Sequence, residues 1–275
     1  MNETTNKQRT TQAIMTIAGS DCSAGAGIQA DLKTFQHFGL HGLTVVTCIV
    51  SETANIVRRV DPVDPSMMED QILLMLDAFP LDVVKTGMLG SAGHVSRVAA
   101  IFEKHPHIRL VIDPVMVAST GASLLEPEAV TSYREKLLPL AHIITPNLPE
   151  AETLLERKIT SVPEMSAAAR ELSGQYGCAV LLKGGHLGAN ECTDILFDRK
   201  KEHRFTSPRL DVKASHGTGC TLAAALASAL ARGENLPNAT SIAKSYLNRC
   251  LTDSYSFPSP NGDTIHALNQ GVAAT

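Results

Sequence analysis

The chain has 275 residues, a net charge of −4 and 44% apolar residues. That apolar fraction excludes wholesale disorder, and the mild acidity excludes the basic stripe of a nucleic-acid binder. No apolar run reaches the ~18 residues of a membrane span, and the polar start MNETTNKQRTTQ lacks the apolar core of a signal peptide. The expectation is a cytoplasmic α/β protein, with residues 1–12 disordered, one domain over 13–256 and a turn-rich tail over 257–275. Cysteines at 22, 48, 178, 192, 220 and 250 show no zinc-like spacing, so most read as buried thiols.

In chain order, Ala13–Ala18 reads as a buried strand, followed by a glycine-rich turn and a helix over 26–38. Leu43–Val50 is a second strand, and Pro65 opens a helix that Pro80 ends. Strand Asp82–Lys85, a helix over 92–104, strand Leu110–Ile112, a helix over 127–138 and strand Ile143–Ile144 follow. A helix over 163–176 leads into strand Ala179–Leu182. Thr193–Phe197 and His203–Thr206 form a hairpin, and two helices, 218–232 and 237–252, close the core. Short apolar strands alternating with helices predict a mainly parallel sheet covered on both faces, with ligands beyond the carboxyl ends of the strands.

Those ends carry Gly19-Ser20-Asp21, Ser51-Glu52, Thr86-Gly87-Met88, Asp113-Pro114-Val115, Thr145-Pro146-Asn147 and Lys183-Gly184-Gly185-His186. One such turn is ordinary loop chemistry, but six on one edge point to a site. Gly25-Ala26-Gly27-Ile28-Gln29-Ala30 matches G-x-G-x-x-A, the skeleton of a dinucleotide turn. Its glycines stand too far beyond the strand, and Glu52 too far beyond the glycines, for that reading to lead. The run His216-Gly217-Thr218-Gly219-Cys220-Thr221 opens a helix of small residues. Free amides at such a start, backed by the helix dipole, suit a phosphate or a developing oxyanion. Gly219 is expected in the left-handed region, and Cys220, in the first turn, is expected to have a lowered thiol pKa. No G-x-x-x-x-G-K-[ST] is present, which excludes a Walker-type loop.

Gly19-Ser20-Asp21 with Ser23–Lys33, then Lys85–Gly90, Asp113–Met116, Thr145–Ala151, Lys183–His186 and His216–Leu222, occur in that order. This series resembles the hydroxymethylpyrimidine and phosphomethylpyrimidine kinases of thiamine synthesis over roughly 13–252. Those enzymes belong to the ribokinase-like superfamily, which also holds pyridoxal kinases. The resemblance implies a three-layer fold, a homodimer, ATP and Mg²⁺, and phosphorylation of a hydroxymethyl group on a pyrimidine. It implies Asn147 and Glu150 near the phosphates, Glu150 and Asp113 near Mg²⁺, and Lys183, Gly184 and Gly185 beside the nucleotide. Gly217, Thr218 and Gly219 would form the anion hole, with Cys220 taking the hydroxyl proton. Ala26, Asp31, Glu52, Met88 and Val115 would line the substrate pocket.

Two positions depart from the pattern. Glu52 stands where the family commonly has Gln, which replaces an amide by a carboxylate that only accepts unless protonated. Ser119 stands where many members have Lys. The alternatives are a pyridoxal or pyridoxine kinase, a cysteine hydrolase using Cys220 with His216 or His186, and a binder without catalysis.

Overall fold

The computed structural model describes residues 11–116, 127–185, 187 and 190–271. Strand β1 (Ala13–Asp21) is followed by α1 (Gly27–His37), β2 (His41–Thr53), β3 (Ile56–Pro62), α2 (Pro65–Ala78), β4 (Val83–Thr86), α3 (Ala92–Phe102) and β5 (Arg109–Ile112). Then come α4 (Pro127–Ser132), β6 (Ile143–Ile144), α5 (Leu148–Leu155), α6 (Val162–Tyr176), β7 (Ala179–Leu182), β8 (Glu191–Asp198) and β9 (Lys201–Pro208). Helices α7 (Thr218–Ala231) and α8 (Leu236–Thr252) and a hairpin of β10 (Tyr255–Pro258) and β11 (Thr264–Ala267) complete the chain.

Nine strands form one sheet in the order β3-β2-β1-β4-β5-β6-β7-β8-β9. Pairs from β2 through β1 to β7 are parallel, and β3, β8 and β9 join antiparallel at the two edges. The central strands read as continuous apolar runs because each successive side chain enters a different core. Met15, Ile17, Val84, Leu110, Ile112, Ile144, Val180 and Leu182 face one cluster, with α2, α3 and α6. Ile14, Val83, Val111, Ile143, Ala179 and Leu181 face the other, against α1, α7 and α8. The three-layer architecture is therefore present. Every residue of α7 from Thr221 to Ala231 is buried, and its alanines let this helix lie close against the sheet.

The sequence reading placed most elements within a few residues. It missed β3, α5 and the β10–β11 hairpin, the last in a stretch expected to be turn. It also extended the helix over 127–138 without the change at Tyr133, where α4 widens into a π-helical turn. Residues 1–10 of the segment expected to be disordered lie outside the described residues. The tail returns to the body: Leu268 is buried, and the Tyr246 hydroxyl donates to the Gln270 carbonyl at 2.7 Å.

Candidate active site

The carboxyl ends of β1, β4, β5, β6 and β7 meet the start of α7 around one cavity of about 430 Å³. Ala26, Glu52, Met88 and Val115 line it on one side, with Val57 of β3. Asp113, Asn147, Glu150 and Lys183 line the other, and Gly217, Thr218, Gly219 and Cys220 stand between. Gly184 and Gly185 follow Lys183 but do not line the cavity. Asp31 is a correction: it lies fully buried outside the lining, accepting from the Thr16 hydroxyl at 2.6 Å and the Lys85 ammonium at 2.7 Å. Its Oδ1 has no hydrogen-bond partner. Lys85 is equally buried, and despite that burial the charges of Asp31 and Asp113 hold its ammonium protonated.

The amide-rich turn before α7 is built on Gly217, not on Gly219. Gly217 has φ +81°, and a Cβ there would stand 1.9 Å from the Gly25 carbonyl oxygen. Gly219 is not among the residues with positive φ; its Cβ would point towards Lys183 Nζ at 3.4 Å and Asp113 Oδ2 at 3.6 Å. The expectation of a left-handed Gly219 is therefore replaced by Gly217, while Gly219 faces the charged floor. The Gly25-Ala26-Gly27 run is the other half of this contact and not a dinucleotide turn. The Gln270 amide donates to the Gly25 carbonyl at 3.2 Å and to the Thr221 hydroxyl at 3.4 Å, fastening both glycine turns from the tail.

On the floor, the Lys183 ammonium donates to Asp113 Oδ1 at 2.8 Å, and the Thr145 hydroxyl donates to the same oxygen at 3.0 Å. Burial opposes the charge on Lys183, but Asp113 and Glu150 outweigh it and keep the ammonium protonated. Asn147 and Glu150 form a reciprocal cap on α5: the Glu150 amide donates to Asn147 Oδ1 at 2.9 Å and the Asn147 amide donates to Glu150 Oε2 at 2.8 Å. The pattern Asn147-Leu148-Pro149-Glu150 is a helix-start signal that would have revealed α5 from sequence. Burial, reinforced by Asp113 and opposed by Lys183, pushes the Glu150 carboxyl up to about 7.

Cys220 lines the cavity, but burial pushes its thiol up to about 11, helped by Asp31 and Asp113 and opposed by Lys85 and the Gly27 amide. The helix start therefore does not produce a thiolate at rest, contrary to the sequence expectation. At the far wall, His216 Nε2 donates to Asp21 Oδ2 at 2.9 Å, and the amides of Gly25 and Ala26 donate to the same oxygen at 3.0 and 2.8 Å. Although burial raises Asp21, the His216 ring and the neighbouring donors hold its carboxyl well below the usual range. Burial lowers His216, but Asp21 and Glu52 raise it further, so its net shift is upward. Glu52 is shifted up by burial and by Asp21 against the pull of His216. Sequence reading missed this Asp21–His216 pair, because its partners are 195 residues apart. Ser119 and His186 lie outside the described residues.

The sequence pattern described as phosphomethylpyrimidine kinase matches residues 21–264. A thiamine biosynthesis bifunctional protein from Geobacter sulfurreducens is 43% identical over 93% of this chain and 52% of its own length. The chain thus spans about half the length of that relative. A hydroxymethylpyrimidine/phosphomethylpyrimidine kinase of Bacillus subtilis is 38% identical over 92% of this chain and 93% of its own. The structure of the pyridoxal kinase from Staphylococcus aureus in complex with ADP superposes with a TM-score of 0.85, at 32% identity, over 96% of this chain and 94% of that one.

Proposed function

The chain belongs to the phosphomethylpyrimidine kinase family, and from that premise we propose that it transfers a phosphoryl group from ATP to the hydroxymethyl group of 4-amino-5-hydroxymethyl-2-methylpyrimidine, and then to the resulting monophosphate. The observation that carries this reading is the meeting of the α7 amides, Lys183 and two buried carboxylates, Asp113 and Glu150, in one cavity. Phosphoryl transfer spreads charge over equatorial oxygens, so positioning and electrostatics do most of the work. Here the amides of Gly217–Cys220 and the Lys183 ammonium face that charge. Lys183 meets the nucleotide phosphates, while Ala26, Glu52, Met88 and Val115 hold the ring.

Asp113 and Glu150 suit a magnesium ion, because burial leaves Glu150 short of positive charge and a hard dication takes carboxylate oxygens. When bound, Mg²⁺ neutralises charge on the phosphates. Asn147, capping α5, fixes the backbone from which Glu150 projects.

The proton of the substrate alcohol is a smaller matter. A thiol at about 11 is a thiolate in about one molecule in ten thousand at pH 7. That scarcity offsets the ~10²–10⁴-fold gain of a general base. Cys220 therefore packs beside the alcohol and accepts its proton only as a minor thiolate form, with the anion hole as the larger contributor. A nucleophilic Cys220 is disfavoured for the same reason.

A homodimer is supported by exposed apolar side chains on the β2–β3 edge, Ile49 and Ile56, and on β10, Tyr255 and Phe257. The Asn55 amide, which donates to the Thr264 carbonyl at 3.5 Å, joins these two hairpins. Light scattering at micromolar concentration tests it. Six free cysteines and the use of ATP accord with the cytoplasm. None of the described helices is long and apolar enough to cross a membrane.

A second substrate class merits a direct test, since the pyridoxal kinase superposes closely. The test is a panel of hydroxymethyl heterocycles with ATP·Mg²⁺, read by product mass. A gain of one phosphoryl group on the pyrimidine alcohol supports the proposal. Phosphorylation of pyridoxine or pyridoxal alone would replace it, and no phosphorylated product would end it.

A further inference from the structure

Lys244 sits on the buried face of α8, in line with Leu236, Ala239, Thr240 and Ala243. An ammonium among such neighbours is costly unless it is paired. It is paired with Asp194 of β8: Nζ donates to Asp194 Oδ2 at 2.7 Å and to the Cys192 carbonyl at 3.0 Å, with both side chains nearly buried. The second oxygen, Asp194 Oδ1, accepts from the Gly184 amide at 2.9 Å. That amide belongs to the peptide immediately after Lys183.

The backbone at 183–184 is thus held from two sides. The Lys183 amide donates to the Pro146 carbonyl at 2.9 Å, and Gly184 is pressed so close to β8 that a Cβ would stand 2.0 Å from the Thr193 carbonyl oxygen. From this held backbone the Lys183 side chain crosses to Asp113 in the cavity. We infer that Asp194 and Lys244 are positioning residues: Lys244 orients the Asp194 carboxylate, which fixes the Gly184 amide and with it the Lys183 ammonium that meets the nucleotide phosphates. The inference rests on the kinase reading of the cavity. Neither residue lines the cavity.

Removing Lys244 alone would leave a buried carboxylate unpaired, and instability would obscure the result. The informative variant replaces both charges by apolar groups, Lys244→Met with Asp194→Leu, because a buried ion pair exchanged for packed apolar side chains often keeps stability. Asp194→Asn with Lys244→Gln is its complement, since the asparagine oxygen still accepts from Gly184 while its NH2 group donates to the glutamine oxygen. Binding of ADP·Mg²⁺ by calorimetry, thermal melting, and KM for ATP and for the pyrimidine alcohol are measured for each. The expected result is at least tenfold weaker ADP binding and a matching rise in KM for ATP in the apolar pair, with the KM for the alcohol within twofold of wild type. The double variant Asp194→Asn with Lys244→Gln is expected to stay within threefold of wild type in nucleotide binding. Should the apolar pair not fold, Asp194→Leu with Lys244→Gln against Asp194→Asn with Lys244→Gln gives the same comparison. Equal nucleotide binding in the leucine and asparagine variants overturns the inference, as does a loss shared equally by both KM values. Failure of the wild-type protein to bind ADP·Mg²⁺ would overturn the kinase reading itself and this inference with it.

Discussion

Gly219→Ala separates the anion hole from the fold. The added methyl would meet Lys183 Nζ at 3.4 Å and Asp113 Oδ2 at 3.6 Å, which are ordinary contacts in a chain whose backbone there is not left-handed. Alanine is favoured over glycine in a helix by at most about 1 kcal/mol, and less in a first turn. At about 2–4 °C per kcal/mol for a domain of this size, Tm is expected to stay level or rise slightly. The same methyl projects into the gap between the α7 amides and the Lys183–Asp113 pair, the space a transferring phosphoryl group must cross. Losing one oxyanion-type donor costs ~10²–10³ in kcat, or about 2.7–4 kcal/mol, and a methyl that displaces the phosphoryl group from the amides is expected to cost at least as much. Scanning fluorimetry and steady-state rates on the pyrimidine alcohol check both halves. Wild-type kcat at unchanged Tm would show that the gap is not the reacting site, and a large fall in Tm would show that Gly219 is structural.

Gly217→Ala should behave in the opposite way: with φ +81° and the Gly25 oxygen 1.9 Å from the new Cβ, the turn must move, and Tm should fall by several degrees. Cys220→Ala is expected to lower kcat by about tenfold or less, well short of Gly219→Ala, and in the wild-type chain alkylation of Cys220 by iodoacetamide should be slow at pH 7 and accelerate towards about 11, as mass spectrometry would record. Glu52→Gln should keep kcat/KM for the pyrimidine within about tenfold, ~1.4 kcal/mol, while flattening its pH profile below neutrality, because the carboxyl raised by burial and Asp21 no longer titrates. His216 is raised in the folded state, so its share of stability is complete below the unfolded value near 6.5 and is lost as pH rises through the folded value. His216→Gln should therefore cost about 1.5–3 kcal/mol in mildly acid solution and progressively less in alkali, measurable as a narrowing Tm gap.

The sheet was legible because its central strands are buried on both faces and announce themselves as apolar runs between helices. β3 was not, since Ile56-Val57-Arg58-Arg59-Val60 is half exposed on an edge and its charges mask the pattern. Of the candidate site, the residues at the ends of neighbouring strands were legible from the topological rule that gathers them. Asp31 was placed in the pocket by the resemblance alone, whereas α1 turns it inward to a buried pair with Lys85. The thiol of Cys220 misled because its helix position is a local property, while the burial that decides its pKa is a property of the whole fold. Pairs such as Asp21–His216 and Asp194–Lys244 join distant segments and carry no spacing signal.

The Gln270 clip bears on where this chain can be cut. The family match ends at residue 264, and a truncation drawn there keeps every side chain that lines the cavity. It nevertheless discards the amide that spans the Gly25 carbonyl and the Thr221 hydroxyl, together with the carbonyl that receives the Tyr246 hydroxyl. Two loops from opposite ends of the sequence would then rely on the His216–Asp21 hydrogen bond and on glycine-to-glycine packing, and the shortened protein would be a looser vessel with an unaltered inventory of catalytic groups.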